Sequence, residues 1–270
     1  MPASSTLTFL GTATSVGVPV IGCDCPVCTS DNPRNNRTRS SIVLHTPEHI
    51  TLVDFGPDLR QQALREKLTH VDSVLITHQH LDHIMGFDDL RAFCWHRENA
   101  LPFYGGPDTL AALTHMFPWA FADKVYKNYV RPEAHPVTGP FTLADLRITP
   151  LPVIHGNVET NGFRFDLPSG HSVAYMSDVK TIPDETRALM INLDVLIIDA
   201  LRPTPHPNHM SNGEAEEAAN QIGAKQTLFT HLTHSLDIDD FNKSLPNNIS
   251  VAYDGMKLQF PPGQATTIIS

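Results

Sequence analysis

A chain of 270 residues, 41% hydrophobic and 18% charged, is long enough to bury a sizeable core without disulfide help. Its formal net charge of −10 argues against broad binding to nucleic acid or anionic lipid. No apolar run approaches the roughly 18 residues of a membrane span, and "MPASSTLTFLGTATS" has neither a basic n-region nor a continuous apolar stretch, so a cytoplasmic protein with no membrane partner is expected.

The first β-rich run, "LTFLG", leads into the glycine-rich segment "GTATSVGVPVIGCDCPVC", which holds Cys23, Cys25 and Cys28 in a C-x-C-x₂-C spacing. A reducing compartment disfavours disulfides, and Asp24 and Pro26 mark a tight exposed turn. A redox-active set or three buried thiols are the alternatives to a metal site. Three converging thiolates need a fourth ligand to close a tetrahedral zinc site, which would staple a loop at about residues 11–40. "SIVLH", "ITLVDFG" and "SVLITH" read as the next strands. Helices are expected at residues 57–67, 88–97 and 107–119, with Cys94 in the second as a small core residue. Further strands follow at "LRITPL", "FRFDL", "SVAYMSD", "DVLIIDA", "QTLFTH", "ISVAYD" and "MKLQF". Helices are expected at residues 184–192 and Asn212–Ile222; Ser211 and Glu214 before and within the latter have the spacing of a capping box. Strands in both halves, with helices between them and no repeat or linker, predict one α/β domain over residues 1–270. Its architecture would be a four-layer αβ/βα sandwich, two β-sheets face to face with helices outside.

The most informative stretch is "VLITHQHLDHIMG", residues 74–86. An apolar strand ends at Thr77, and His78, His80, Asp82 and His83 follow within six positions. Alternation in an extended segment points His78 and His80 the same way. A helix beginning near Asp82 would turn that carboxylate and His83 back toward the same space. Imidazole and carboxylate together suit Zn²⁺, Mn²⁺ or Fe²⁺, and four such groups exceed the needs of one cation. His155 follows "ITPLPVI", Asp178 follows "SVAYMS" and His231 follows "TLFT"; each is the first ionisable residue after an apolar run. His234, three residues beyond His231, is the natural fourth ligand for the cysteine cluster.

The run "THQHLDH", followed by His155, Asp178 and His231, resembles the metallo-β-lactamase-fold hydrolase superfamily. That resemblance implies that His78, His80 and His155 hold one metal and that Asp82, His83 and His231 hold a second. Asp178 would bridge them, and Asp54 would orient the histidine cluster from behind. "GTATSVGVPVIGCDCPVC" and the late H-x₂-H are similar to a narrower branch, the phosphoribosyl 1,2-cyclic phosphate phosphodiesterases of the C–P lyase pathway. This implies a division of labour, His231 to the catalytic pair and His234 to a structural zinc with Cys23, Cys25 and Cys28. It also implies that His209, in "RPTPHPNHMS", faces substrate phosphate without binding metal. Asp82 and His209 are therefore the expected catalytic residues. The remaining histidines, at 45, 49, 70, 96, 115, 135, 171 and 206, read as ordinary surface or core residues.

The expected activity is hydrolysis of a small cyclic phosphodiester by metal-bound hydroxide attacking phosphorus, with two Mn²⁺ or Zn²⁺ ions and one structural Zn²⁺. A nucleotide or oligonucleotide phosphodiesterase is one alternative, because the aromatic stretches "DDLRAFCWHRENALPFYGG" and "HMFPWAFADKVYKNYVRPEAHP" could stack a base or simply pack in the core. Another is a non-catalytic zinc-stabilised protein of the pyrroloquinoline-quinone biosynthesis type. A secreted β-lactamase, a glyoxalase-type thioesterase and a tRNA-processing nuclease share the histidine motif. The cysteine cluster speaks against the first two, and the lack of a basic arm against the third. Homodimerisation is left open.

Overall fold

The computed structural model describes residues 4–95, 97–122 and 128–269; His96 and part of the second aromatic stretch, residues 123–127, lie outside them. In chain order β1 (Ser5–Gly11), β2 (Ser41–His45), β3 (Ile50–Val53), β4 (Ser73–Ile76), β5 (Leu101–Gly105) and β6 (Pro132–Pro136) build a first sheet. A second sheet takes β7 (Phe141–Leu143), β8 (Leu146–His155), β9 (Val158–Asp166), β10 (Ser172–Met176), β11 (Val195–Asp199), β12 (Gln226–Thr230) and β13 (Ile249–Val251). The chain then returns to the first sheet with β14 (Lys257–Phe260) and β15 (Thr267–Ile269). Strand orders are β15-β14-β1-β2-β3-β4-β5-β6 and β13-β12-β11-β10-β9-β8-β7.

Period-2 alternation sorts each strand's side chains between layers. Leu7, Phe9, Ile42, Leu44, Val53 and Leu75 of the first sheet meet Ile148, Phe163, Phe165, Tyr175, Ile197 and Leu228 of the second in one buried cluster. Their neighbours Val43, Leu52, Val74 and Ile76 face outward, onto Leu59 of α1 (Leu59–Glu66) and the adjoining helical turns. Leu196, Ile198 and Phe229 likewise pack on Ala215, Ala218 and Ala219 of a helix that the sequence places correctly, Asn212–Ile222. The result is the expected αβ/βα sandwich.

Connections dictate where a site can form. β3 to β6 pair in parallel, as do β10 to β13, so each group needs crossovers on its outer face. The carboxyl ends of these strands open at the same edge of each sheet, where ligands of parallel sheets bind.

Several boundaries differ from expectation. Residues 88–97 do not form one helix but a 3₁₀ turn, Phe87–Leu90, followed by the single turn Arg91–Cys94. The helix expected at 184–192 stops at Ala188, and Asn192 adopts a left-handed φ of 57°. β6 escaped detection because it carries two prolines; it lies at the sheet's edge, where missing N–H donors are tolerated. Among the described aromatics of the two stretches, Phe93 and Phe103 are buried in the outer core of the first sheet and Phe117 stacks on Phe87 at 4.1 Å, whereas Trp95, Trp119 and Tyr129 are exposed. No helix among the described residues is long and apolar enough to cross a membrane.

Candidate metal centre

β4 ends at Ile76, and Thr77 and His78 follow while still buried. His80 occupies the N-cap position of α2 (Leu81–Ile84) without a side-chain capping bond, and the single turn that follows brings His83 back beside His78 and Asp82 beside His83. The backbone makes room for this: a Cβ on Gly56 would overlap the Asp82 carbonyl, so only glycine lets the loop after β3 pass there. His155 closes β8, Asp178 follows β10 by two residues, and His231 follows β12. His231 sits at φ 59° and Asp54 at φ 62°, left-handed conformations that non-glycine residues rarely adopt.

Two sets of donor atoms result. His78 Nε2 and His155 Nε2 lie 2.9 and 3.2 Å from His80 Nδ1. His83 Nε2 lies 3.3 Å from Asp82 Oδ2, and His231 Nε2 lies 4.0 Å from the same oxygen. Asp178 stands between them. Its Oδ1 is 3.2 Å from His83 Nε2, and its Oδ2 is 3.3 Å from His231 Nε2, 3.9 Å from His155 Nε2 and 4.0 Å from His78 Nε2. Ligands held at tetrahedral zinc distances are about 3.4 Å apart, so the spacing fits metal ions. His83 Nε2, His231 Nε2 and Asp178 Oδ1 are buried without a hydrogen-bond partner, an arrangement that only a further group between them relieves.

Charge points the same way. Burial pushes His78, His80 and His155 toward the neutral form, and neighbouring imidazoles reinforce this. Burial acts on His83 too, but Asp178, Asp82 and Asp54 outweigh it and raise its pKa well above the usual value. His231, buried beside Asp178, Asp82 and Asp199, is likewise raised to about 9. The carboxylates thus attract protons onto the two imidazoles nearest them, and a divalent cation would replace those protons.

A supporting shell fixes two of these imidazoles. His83 Nδ1 donates to Asp54 Oδ2 at 2.7 Å, and the same carboxylate accepts from Thr77 N and Thr77 Oγ1. His155 Nδ1 donates to Asn208 O at 2.8 Å. Such bonds leave the other ring nitrogen free to face a metal. Asp199, which closes β11, was not singled out from the sequence. It follows "DVLII" as the first ionisable residue after an apolar run, the signal that identified Asp178 and His231. Its Oδ2 accepts from His209 Nδ1 at 2.7 Å and from Val179 N at 3.1 Å. His209 stacks on His231 at 4.8 Å and meets His155 edge-on at 4.6 Å. His206, read as ordinary, stands beside it at 5.0 Å. By contrast His49, His70 and His171 bond to Ser73, Asp72 and the carbonyl of Gln264, none of which belongs to either donor set.

A second cluster forms about 200 residues apart in sequence. Nδ1 of His234 is 3.3 Å from each of Cys23 Sγ, Cys25 Sγ and Cys28 Sγ. Zinc bond lengths to sulfur and nitrogen place such atoms about 3.6 Å apart. The N–H of Cys28 donates to Cys25 Sγ and pushes that thiol down to about 6, toward the thiolate a metal requires. Backbone bonds from Leu232 N to Thr12 O and from Thr14 N to Leu232 O sew the cysteine loop to the loop bearing His231.

A β-lactamase superfamily domain model matches residues 49–232. An octanoyltransferase of Porphyromonas gingivalis is 34% identical over 259 residues, an alignment covering 92% of this chain and 50% of that protein. The chain therefore spans about half the length of that relative. A solved structure of a diphosphatase from the PhnP family superposes with a TM-score of 0.88 at 39% identity, covering 96% of this chain and 98% of that one. Zinc-bound PqqB from Methylobacterium extorquens shares the fold, with a TM-score of 0.77 at 20% identity over 94% of this chain and 99% of that one. The chain belongs to the β-lactamase superfamily, as a metal-dependent hydrolase of the metallo-β-lactamase fold.

Proposed function

We propose that this hydrolase is a dinuclear phosphodiesterase that opens a small cyclic phosphodiester to a phosphomonoester. The observation that carries the reading is Asp178, whose two oxygens lie between the His78–His80–His155 set and the Asp82–His83–His231 set. In this reading each set would hold one divalent cation, Mn²⁺ or Zn²⁺, with Asp178 offering a carboxylate oxygen to each set. A bound pair of divalent cations supplies hydroxide near neutral pH and stabilises charge on the attacking and leaving oxygens of a displacement at phosphorus. Cys23, Cys25, Cys28 and His234 hold a separate structural zinc.

The protein's own groups then divide the remaining work. Asp54 and the Asn208 carbonyl keep His83 and His155 in one tautomer. Burial raises the Asp199 carboxyl well above its usual range, and burial with the nearby His231 lowers His209 to about 4, so the pair is held net neutral. Such a pair carries one proton that it can release from His209 Nε2 to the leaving oxygen, Asp199 remaining as the carboxylate. His206, whose Nδ1 accepts from Asn208 N at 3.2 Å, keeps its Nε2–H for substrate oxygen.

A second reading shares the machinery and changes the leaving group: cleavage of a diphosphate linkage, favoured by the 39% identity to a diphosphatase. ³¹P NMR of the Mn²⁺-reconstituted protein, mixed in parallel with 5-phosphoribosyl 1,2-cyclic phosphate, a 2′,3′-cyclic nucleotide and a dinucleoside diphosphate, separates them. Opening of the ribosyl ring alone supports the first reading; cleavage of the diphosphate alone moves the substrate to the second. Preference for the cyclic nucleotide shifts the role to nucleotide turnover. A metal-loaded protein that leaves all three intact overturns both readings and turns the search to thioesters and linear diesters.

A further inference from the structure

Arg37 is 1% exposed, yet its guanidinium has little to offset its charge. Nη2 donates to the carbonyl of Thr233 at 2.9 Å, while Nε and Nη1 have no hydrogen-bond partner. A buried guanidinium needs a compensating negative group. Two carboxylates act on it from a distance, and both are committed elsewhere. Asp254 accepts from Thr12, Thr38 and Arg65. Asp237 accepts from Asn35 and caps the helix Ile238–Ser244 through the N–H groups of Asp239 and Asp240. The third group that acts on it is Cys28, whose sulfur belongs to the cysteine cluster and is negative only as a thiolate.

Geometry ties the cation to the cysteine loop. The backbone of Arg37 pairs with Val18 in both directions, at 2.9 and 2.7 Å. Two residues on, Val20 N donates to Cys28 Sγ at 3.3 Å. On the other side Thr233, whose carbonyl Arg37 holds, directly precedes His234. Arg37 is thus anchored to both loops that supply the Cys₃His set, through its backbone to the cysteine loop and through its guanidinium to the loop of His234. Zn²⁺ bound to three thiolates and a neutral imidazole carries one net negative charge, the complement of one buried arginine.

We propose that Arg37 is the counter-ion of the Cys₃His centre, a positioning residue that allows all three cysteines to bind as thiolates inside the protein. The inference rests on reading that cluster as a zinc site. It makes the buried, half-satisfied guanidinium part of the centre rather than of the core. Arg37→Met removes the charge and keeps most of the stem; Arg37→Lys keeps the charge and loses the fork.

The test is the rate at which the folded 270-residue chain releases this zinc to a chromogenic chelator. Arg37→Met should speed release by about 10-fold or more, the scale of a lost outer partner, while Arg37→Lys stays much closer to the parent. Cys25→His, at one of the two half-buried cysteines of the loop, makes the loaded centre neutral. In that background Arg37→Met should change release by less than about 2-fold, because no charge is left to balance. An equal acceleration in both backgrounds would make Arg37 a packing residue and overturn the inference, as would unchanged release in the first. A parent protein that holds no zinc at this cluster would sink the zinc reading, and the inference with it.

Discussion

Nδ1 of His209 donates to Oδ2 of Asp199 across 2.7 Å, with Asp199 fully buried and His209 at the mouth of the centre. One hydrogen bond therefore sets the direction of an imidazole that lies against His155 and His231 without belonging to either donor set. Removing His209 should leave the ligands in place. We expect His209→Ala to retain full metal content by elemental analysis and to lose roughly 10²-fold or more in turnover, the range of a lost general acid. Asp199→Asn should fall in the same direction, by about 10-fold or more, because the amide can still orient the ring without balancing its proton. Turnover at the parent level in both variants would remove the pair from the mechanism.

Asp54 touches no donor atom of the other ligands, yet it fixes His83 through Nδ1 and Thr77 through two bonds. Asp54→Ala should weaken metal affinity or activity by about 10- to 100-fold, with the ligand list unchanged. Competition with a fluorescent chelator reads this directly. A parent-like affinity would show that packing alone holds His83.

Gly56 passes against the Asp82 carbonyl with no space for a side chain. Gly56→Ala should push α2 away and reduce occupancy of the Asp82–His83–His231 set before that of the other. Manganese electron paramagnetic resonance distinguishes a coupled pair from a single ion, so loss of the exchange-coupled signal is the expected result. An intact coupled signal would mean that the loop yields instead.

The capping box at Ser211 is a control on stability alone. Its Oγ accepts from Glu214 N, and Glu214 in turn accepts from Ser211 N and pairs with Lys180 at 2.6 Å. Ser211→Ala should cost about 1 kcal/mol in denaturant unfolding, with metal content unchanged.

Sequence revealed the site in proportion to how local its geometry is. His78, His80, Asp82 and His83 share one turn, so spacing alone betrayed them. His155, Asp178 and His231 were visible because apolar strands end in single ionisable residues, and parallel strands deliver those ends to one edge. Asp199 obeys the same rule and was passed over. His206 gave no such signal; it is brought beside His209 by a loop folded on itself, where Arg202 donates to the carbonyls of Thr204 and Pro205. The helix expected at 88–97 is divided instead into a 3₁₀ turn, Phe87–Leu90, and the single turn Arg91–Cys94, and the spacing of apolar residues does not distinguish the two because i and i+3 share a face in either helix. Nor could spacing reveal Arg37, whose partners lie on Val18 and Thr233.

The most direct test of the central claim is hydrolysis of the preferred diester in ¹⁸O-enriched water, followed by the isotope shift in ³¹P NMR. Attack at phosphorus predicts one ¹⁸O on the phosphorus of the new product, at a rate that rises and falls with loading of the two ligand sets. Label found on the departing alcohol carbon, or hydrolysis that persists after those sets are emptied, would contradict it.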